Sequence, residues 1–157
     1  MNELEEAVRD FLAQRCIAVA GVSRSPDEAA NIIFRKLRDS GHDVFPINPK
    51  TTEVEGVACY PDLASLPVSV DALVIATPPS AAEGLVDQCA ALGIRRVWMH
   101  RSVGGGSVSS AAMDACHRHG IHMIPGACPL MFCQPVDFGH KCMRWIAKIT
   151  GQLPRSS

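Results

Sequence analysis

Five short apolar runs recur along the chain, and each one ends at or just before a glycine, a proline or a polar residue. Runs of this kind predict buried strands of a parallel sheet. They lie at 16–21, 43–47, 72–76, 96–99 and 121–124. Residues 57–60 predict one further short strand, and residues 62–66 predict a single helical turn.

Between these runs, apolar residues recur at the spacing of one helical face and predict amphipathic helices. The apolar positions are Leu4, Val8, Phe11 and Leu12; Ala30, Ile33, Phe34 and Leu37; Leu85, Val86, Cys89 and Leu92; Val108, Ala112, Ala115 and Cys116; and Phe138, Cys142, Trp145, Ile146 and Ile149. The alternation predicts an α/β fold, a three-layer, Rossmann-like, doubly wound parallel sheet. We expect a single domain over 1–157, with a core at 14–130 flanked by helices at 3–14 and 137–150.

Composition narrows the class of protein. Of 157 residues, 47% are hydrophobic, and 15 basic residues nearly balance 16 acidic ones. The chain can therefore bury a core, and the absence of a basic stripe makes nucleic acid an unexpected partner. The first residues are acidic rather than signal-like, and no apolar run approaches the ~20 residues of a membrane span. We expect a cytoplasmic protein without membrane contact, whose seven cysteines are mostly reduced.

Ligands of doubly wound folds bind beyond the carboxyl ends of the strands. After the first strand come Gly21, Val22, Ser23, Arg24 and Ser25. A glycine lets the backbone approach a ligand, the amides of a helix start favour phosphate, and the hydroxyls and the arginine add donors and charge. The alternative is an ordinary strand-to-helix turn, because neither dinucleotide-binding nor nucleotide-hydrolase glycine motifs occur here.

After the second strand come Asn48, Pro49 and Lys50. NAD-binding domains usually place a carboxylate here for the ribose hydroxyls, whereas a lysine suits a phosphorylated ribose. An NADP-dependent oxidoreductase on this fold therefore stays open. So does an ordinary Asn-Pro turn with a solvated lysine.

The later strand ends add weaker candidates. Thr77, Pro78 and Pro79 predict a rigid lip that lines an extended apolar chain or, alternatively, a helix lead-in capped by Ser80. Met99 and His100 end the next strand. The glycines at 104–106 that follow permit either a close backbone approach or a mobile loop.

In this order, the strand ends resemble the CoA-binding domain family, a Rossmann-like module that also forms the amino-terminal domain of the succinyl-CoA synthetase alpha subunit. The resemblance covers roughly residues 14–130. It is carried by the segments 17–24, 41–50, 60–63, 66–67, 77–79, 97–99 and 128–129.

The resemblance implies a coenzyme A site. Residues 21–24 would meet the CoA phosphates, and residues 48–50 would meet the adenosine portion, with Lys50 near the ribose phosphate. Residues 77–79 would line the pantetheine path. Two departures stand out: His100-Arg101 and a glycine run replace the acidic or Gln-rich segment of many members, and 157 residues leave no room for the synthetase's phosphohistidine domain. Ligase chemistry is therefore not implied.

Cysteine and histidine clusters suggest little further chemistry. Cys128, Cys133, His140 and Cys142 lack the short spacing of zinc knuckles, so no metal is expected. A mixed disulfide between Cys128 and CoA stays open. The sequence thus predicts a stand-alone, non-catalytic module that binds coenzyme A or an acyl-CoA. A regulatory role through a protein partner and a homo-oligomeric state both stay open. The alternatives are the NADP-dependent enzyme and an interaction subunit with a vestigial pocket.

Overall fold

The first helix begins at a capping box. The computed structural model describes residues 2–102 and 105–133, and α1 (Glu3–Leu12) starts after Asn2, whose side-chain oxygen accepts the Glu5 N–H at 2.8 Å. The Glu5 carboxylate accepts the Asn2 N–H in return. This reciprocal pair satisfies two helix-start donors, and the buried face of α1 then fixes the helix on the sheet.

Strands and helices follow in the predicted alternation. In chain order the elements are β1 (Cys16–Ala20), α2 (Ala29–Asp39), β2 (Asp43–Ile47), β3 (Glu53–Val54), β4 (Val57–Ala58), β5 (Ala72–Ile75), α3 (Pro79–Leu92), β6 (Arg96–Met99), β7 (Arg101–Ser102), β8 (Gly105–Gly106), α4 (Ser110–His119), β9 (His122–Pro125) and a 3-10 turn (Pro129–Met131).

The main sheet of the described residues has five parallel strands in the order β2-β1-β5-β6-β9. Ala20 pairs with both Ile47 and Ile75, Ile75 pairs with Met99, and Met99 pairs with Pro125. All five carboxyl ends therefore lie side by side. The chain winds outwards from β1 to β2 and then returns past β1 to β5, so the winding direction switches between β1 and β5.

Helices cover both faces of this sheet. Leu4, Phe11 and Phe34 of α1 and α2 pack with Trp98 on one face. On the other face, α3 and α4 pack with Met99. The predicted α/β, doubly wound, three-layer architecture is confirmed.

Several local predictions were right only in part or wrong. A short strand was predicted at 57–60; β4 confirms a strand at its first two residues, which pairs with β3 in an antiparallel hairpin, while Tyr60 makes a single parallel bridge to Ile47. The segment 62–66 forms a turn rather than a helical turn. Leu92 was placed on the apolar face of α3 but is 48% exposed; it is the last residue of the helix, directly before the Gly93 cap.

Two further points concern the chain ends. Helix α1 ends at Leu12, two residues before the predicted boundary. The predicted helix at 137–150 lies outside the described residues. No helix among 2–102 and 105–133 combines the length and the apolar character that a membrane crossing requires.

Candidate functional site

The loops after β1 and β5 meet where the winding direction switches. Gly21 follows β1 with φ of +104°, in a region that favours glycine. A Cβ added to Gly21 would lie 2.8 Å from the carbonyl carbon of Ala76, so the backbones after β1 and β5 touch here. Only a residue without a side chain permits this approach. Both loops consequently face the ligand position that is typical of doubly wound sheets.

The loop after β1 is held by a buried amide. Asn31 of α2 is 1% exposed; its side-chain oxygen accepts the Ser23 N–H at 3.0 Å, and its Nδ2 donates to the Ser23 carbonyl at 2.7 Å. The Gly21 N–H bonds the Ile47 carbonyl, and the Ser25 N–H bonds the Ser23 hydroxyl. Within 21–25 the amides of Val22 and Arg24 remain, for which the described part of the chain offers no acceptor. Val22 is 0% exposed and Arg24 is exposed, so the backbone donor that this loop can offer a phosphate is the Arg24 amide.

The start of α2 lies beside this loop. Its first residue is Ala29, and the preceding Glu28 makes no capping bond from its side chain. The uncapped first-turn amides carry partial positive charge. Asp27 and Glu28 are exposed just before these amides, and their carboxylates repel an anion. An anion at this position therefore also needs the exposed cations Arg24 and Lys50.

The end of β2 is tied to the same loop. Asn48 Nδ2 donates to the Val22 carbonyl at 3.0 Å, and the Asn48 side-chain oxygen accepts the Lys50 N–H at 2.9 Å. The polar atoms of the Asn48 side chain are therefore engaged within the protein. Pro49 and Lys50 are exposed, and the Lys50 ammonium has no counterion among the residues the structure describes.

The loop after β5 is a short rigid lead-in to α3. Pro78 is the N-cap residue and Pro79 the first helical residue, both exposed, and no side chain caps the helix, so the predicted Ser80 cap is wrong. The Thr77 hydroxyl donates to the Pro78 carbonyl at 3.1 Å. The buried Ser107 hydroxyl donates to the Thr77 carbonyl and so ties this loop to the segment after β6.

The end of β6 is buried. Met99 is 0% exposed and packs between the sheet and its helices, whereas His100 is 7% exposed. The His100 N–H bonds the Ile75 carbonyl at 2.8 Å, and its carbonyl accepts the Ser107 N–H at 2.7 Å. Burial lowers the pKa of the His100 imidazole, which is therefore neutral at pH 7. A Cβ on Gly106 would lie 2.8 Å from Arg101 Cα, which fits the predicted close backbone approach.

The end of β9 is closed by packing. Trp98 Nε1 donates to the Gly126 carbonyl at 3.0 Å and lies 3.3 Å from the Ala127 carbonyl. Cys128 is 3% exposed, so a disulfide with a ligand thiol would require local opening. Burial raises the pKa of the Cys133 thiol to about 11.

In 2–102 and 105–133 no three potential metal ligands cluster, and His140 and Cys142 lie outside these ranges.

Three residues that hold the loops of the site were not predicted from sequence. They are Asn31, Glu55, whose carboxylate accepts from Asn31 Nδ2, and Ser107. Asn31 interrupts the apolar stripe of α2, which was the signal for a buried polar role. Glu55 and Gly56 stand between two valines, a weak two-residue turn signal. Ser107 carried no signal, because its role depends on which loops the sheet brings together.

Comparison with known proteins places this arrangement in context. Residues 15–134 match the model of the CoA binding domain. The chain is 25% identical over 120 residues to the ADP-forming acetate–CoA ligase I of Archaeoglobus fulgidus, covering 73% of this chain and 18% of that protein. The chain thus spans less than a fifth of this curated relative.

Several solved structures share the fold, and two of them illustrate the match. A hypothetical protein from Pyrococcus horikoshii OT3 has a TM-score of 0.73 at 28% identity, covering 80% of this chain and 86% of that chain. A dinucleotide-forming acetyl-coenzyme A synthetase 1 from Ca. Korarchaeum cryptofilum, in complex with phosphate and ADP, has a TM-score of 0.62 at 32% identity. That match covers 79% of this chain and 27% of the synthetase chain.

Proposed function

The chain belongs to the CoA binding domain family, and on this premise we propose that it binds coenzyme A or an acyl-CoA as a single-domain, non-catalytic module. The observation that carries the proposal is the juxtaposition, at one sheet edge, of the close Gly21–Ala76 backbone contact, the available Arg24 amide of the loop after β1 and the exposed cation of Lys50. These groups match the phosphates of a phosphorylated nucleotide.

The diphosphate of the ligand is proposed to lie over Gly21, Val22, Ser23, Arg24 and Ser25. The Arg24 amide would donate to its oxygens and the Arg24 guanidinium would supply positive charge, while the buried Val22 would support the loop from below. The adenosine would lie against Asn48 and Pro49, whose exposed carbon atoms suit a base and a sugar. Lys50 would meet the ribose phosphate as a charge-assisted donor.

The pantetheine arm is proposed to follow Thr77, Pro78 and Pro79 towards Met99 and His100. The two prolines restrict the lip before the ligand arrives, so little backbone entropy is lost on binding. Met99 would support this end of the arm from within the core without touching the ligand, because the whole residue is buried. The neutral His100 imidazole would offer a hydrogen bond at the end of the arm.

Binding rather than catalysis fits the side chains at this edge. They are amides, hydroxyls, exposed cations, the exposed carboxylates of Asp27 and Glu28 and one neutral imidazole. In the described part of the chain, no hydrogen bond or ion pair joins a carboxylate or a thiol to the His100 imidazole. Because the acetate–CoA ligases that the chain matches are much longer proteins, we propose that the module acts in regulation through a protein partner.

The experiment starts with the natively purified protein. It is denatured, and released small molecules are identified by mass spectrometry; calorimetry with CoA, dephospho-CoA, NAD and NADP follows. We expect CoA or an acyl-CoA to be released and CoA to bind most tightly. Failure of CoA to bind in any form would overturn the proposal, and preferential NADP binding would replace it with the oxidoreductase alternative.

Lys50→Ala tests the ribose-phosphate contact. We expect CoA affinity to fall about tenfold, as for loss of one charge-assisted hydrogen bond, while dephospho-CoA affinity stays unchanged. Arg95→Ala, which removes an exposed cation just before β6 at the opposite end of the sheet, is the matched control. Equal losses for CoA and dephospho-CoA would remove Lys50 from the proposed role.

A further inference from the structure

The β3–β4 hairpin contains a strained glutamate. Val54 pairs with Val57, so the turn consists of Glu55 and Gly56, with φ of +51° and +74°. Two consecutive positive φ values define a turn that prefers Asn-Gly or Asp-Gly. A glutamate in the left-handed region costs about 1–2 kcal/mol of backbone energy, so its presence points to a compensating role of the side chain.

The Glu55 carboxylate reaches across to α2. Its Oε1 accepts from Asn31 Nδ2 at 2.9 Å and from Arg35 Nη1 at 2.6 Å. The Glu55 side chain is 12% exposed and that of Arg35 33%, so water competes little for the pair. The same Arg35 Nη1 also donates to the Pro26 carbonyl at 3.0 Å.

These contacts reach the loop after β1 at three backbone atoms. The Asn31 amide holds the N–H and the carbonyl of Ser23, and Arg35 holds the carbonyl of Pro26. The Asn31 side-chain oxygen and both Nδ2 hydrogens are then engaged in a way that fixes the amide's orientation: oxygen towards the Ser23 N–H, nitrogen towards the Ser23 carbonyl and Glu55. Without Glu55 one amide hydrogen would lose its acceptor, and the Arg35 guanidinium would keep the Pro26 carbonyl but lose its carboxylate partner.

We propose that Glu55 is a positioning residue: it locks Asn31 and Arg35 so that the 22–26 backbone presents the Arg24 amide to the phosphates of the ligand. This inference rests on the proposed function. Glu55 also links the β3–β4 hairpin, which follows the proposed adenosine contacts at 48–50, to the loop after β1. Preorganisation of this kind raises affinity, because the loop does not have to be ordered when the ligand arrives.

The test compares Glu55→Ala with Glu55→Gln. Alanine meets the same backbone cost at positive φ, so the change isolates the carboxylate; glutamine keeps an oxygen acceptor for Asn31. By calorimetry we expect CoA affinity to fall about tenfold in Glu55→Ala and at most about threefold in Glu55→Gln. Asp43→Ala, which breaks the 2.9 Å Arg15–Asp43 pair at the amino end of β2, is expected to leave CoA affinity unchanged.

Hydrogen exchange without ligand supplies the second readout. The Ser23 amide should exchange at least about tenfold faster in Glu55→Ala, whereas the Gly126 amide, bonded to the Met99 carbonyl, should keep its rate. Unchanged Ser23 exchange, or CoA affinity in Glu55→Ala equal to that of the unaltered protein, overturns this inference alone. Absence of CoA binding by the unaltered protein overturns the proposed function and the ligand-positioning role with it.

Discussion

The two halves of the strand-end edge are held in different ways. The half formed by the ends of β1 and β2 is solvent-facing, and its loops are fixed by side-chain amides, Asn31 and Asn48, that bond to backbone atoms. The half formed by the ends of β6 and β9 is packed shut, with Met99, His100 and Cys128 buried.

This difference separates recognition from stability. In the first half, a few directional hydrogen bonds set which amides and cations face outwards, so single substitutions there should change affinity more than folding. In the second half, burial of large side chains contributes most of the free energy, because each excludes water and fills space. Substitutions there should change folding first.

Gly21→Ala should have the largest effect, because Gly21 follows β1 in the first half and contacts the loop after β5, which lies between the two halves. The new methyl group would press on the Ala76 carbonyl, and alanine is strained at φ of +104°. We expect the free energy of unfolding in urea to fall by about 2–5 kcal/mol and CoA binding to be lost.

Gly41→Ala is the control for Gly21→Ala. Gly41 has φ of +99°, but nothing lies within 4 Å of an added Cβ. Its loss should be confined to the backbone cost of about 1–2 kcal/mol, with CoA affinity unchanged. Equal losses of unfolding free energy in the two variants would show that the close contact between Gly21 and Ala76 does not contribute to the effect of Gly21→Ala.

Trp98→Phe probes the packed half and should have the next largest effect. Phenylalanine keeps an aromatic ring beside Phe11 and Phe132 but removes the Nε1 donor, leaving the Gly126 carbonyl buried without it. We expect the free energy of unfolding to fall by about 1–3 kcal/mol in urea denaturation.

Met99→Leu, a change of similar volume on the opposite face of the sheet, should cost less than about 1.5 kcal/mol. The comparison between the halves would fail if Trp98→Phe weakened CoA binding strongly while leaving stability intact.

The same contrast explains what could be predicted from sequence. Strands, helices and their order follow from local periodicity, and the strand ends then fall at one edge because parallel strands align. Gly21 and Lys50 were found for this reason. Asn31, Glu55 and Ser107 act through partners 8 to 30 positions away. Their roles depend on loop geometry that periodicity does not encode.

The hairpin is the clearest case. Its strands have two residues each, too short to produce an alternating pattern, and Glu55 is not a residue expected at positive φ. Tertiary contact with α2 decides the conformation. The first half of the edge is therefore the harder one to predict, although its candidate ligand-binding residues were the easier ones to recognise.

The smallest expected effect is a pH dependence from His100 in the packed half. Because burial lowers its pKa below the usual 6.5, the unfolded chain takes up a proton near that pH that the folded chain does not. The free energy of unfolding should therefore fall as pH drops from 7.5 to 5.5, by at most about 1.4 kcal/mol per pH unit for one proton. Urea denaturation at several pH values measures this slope. His100→Gln should flatten it, while His117→Gln, at an exposed position on α4, should not. If both variants keep the slope of the unaltered protein, His100 is not excluded from water as the packed half requires.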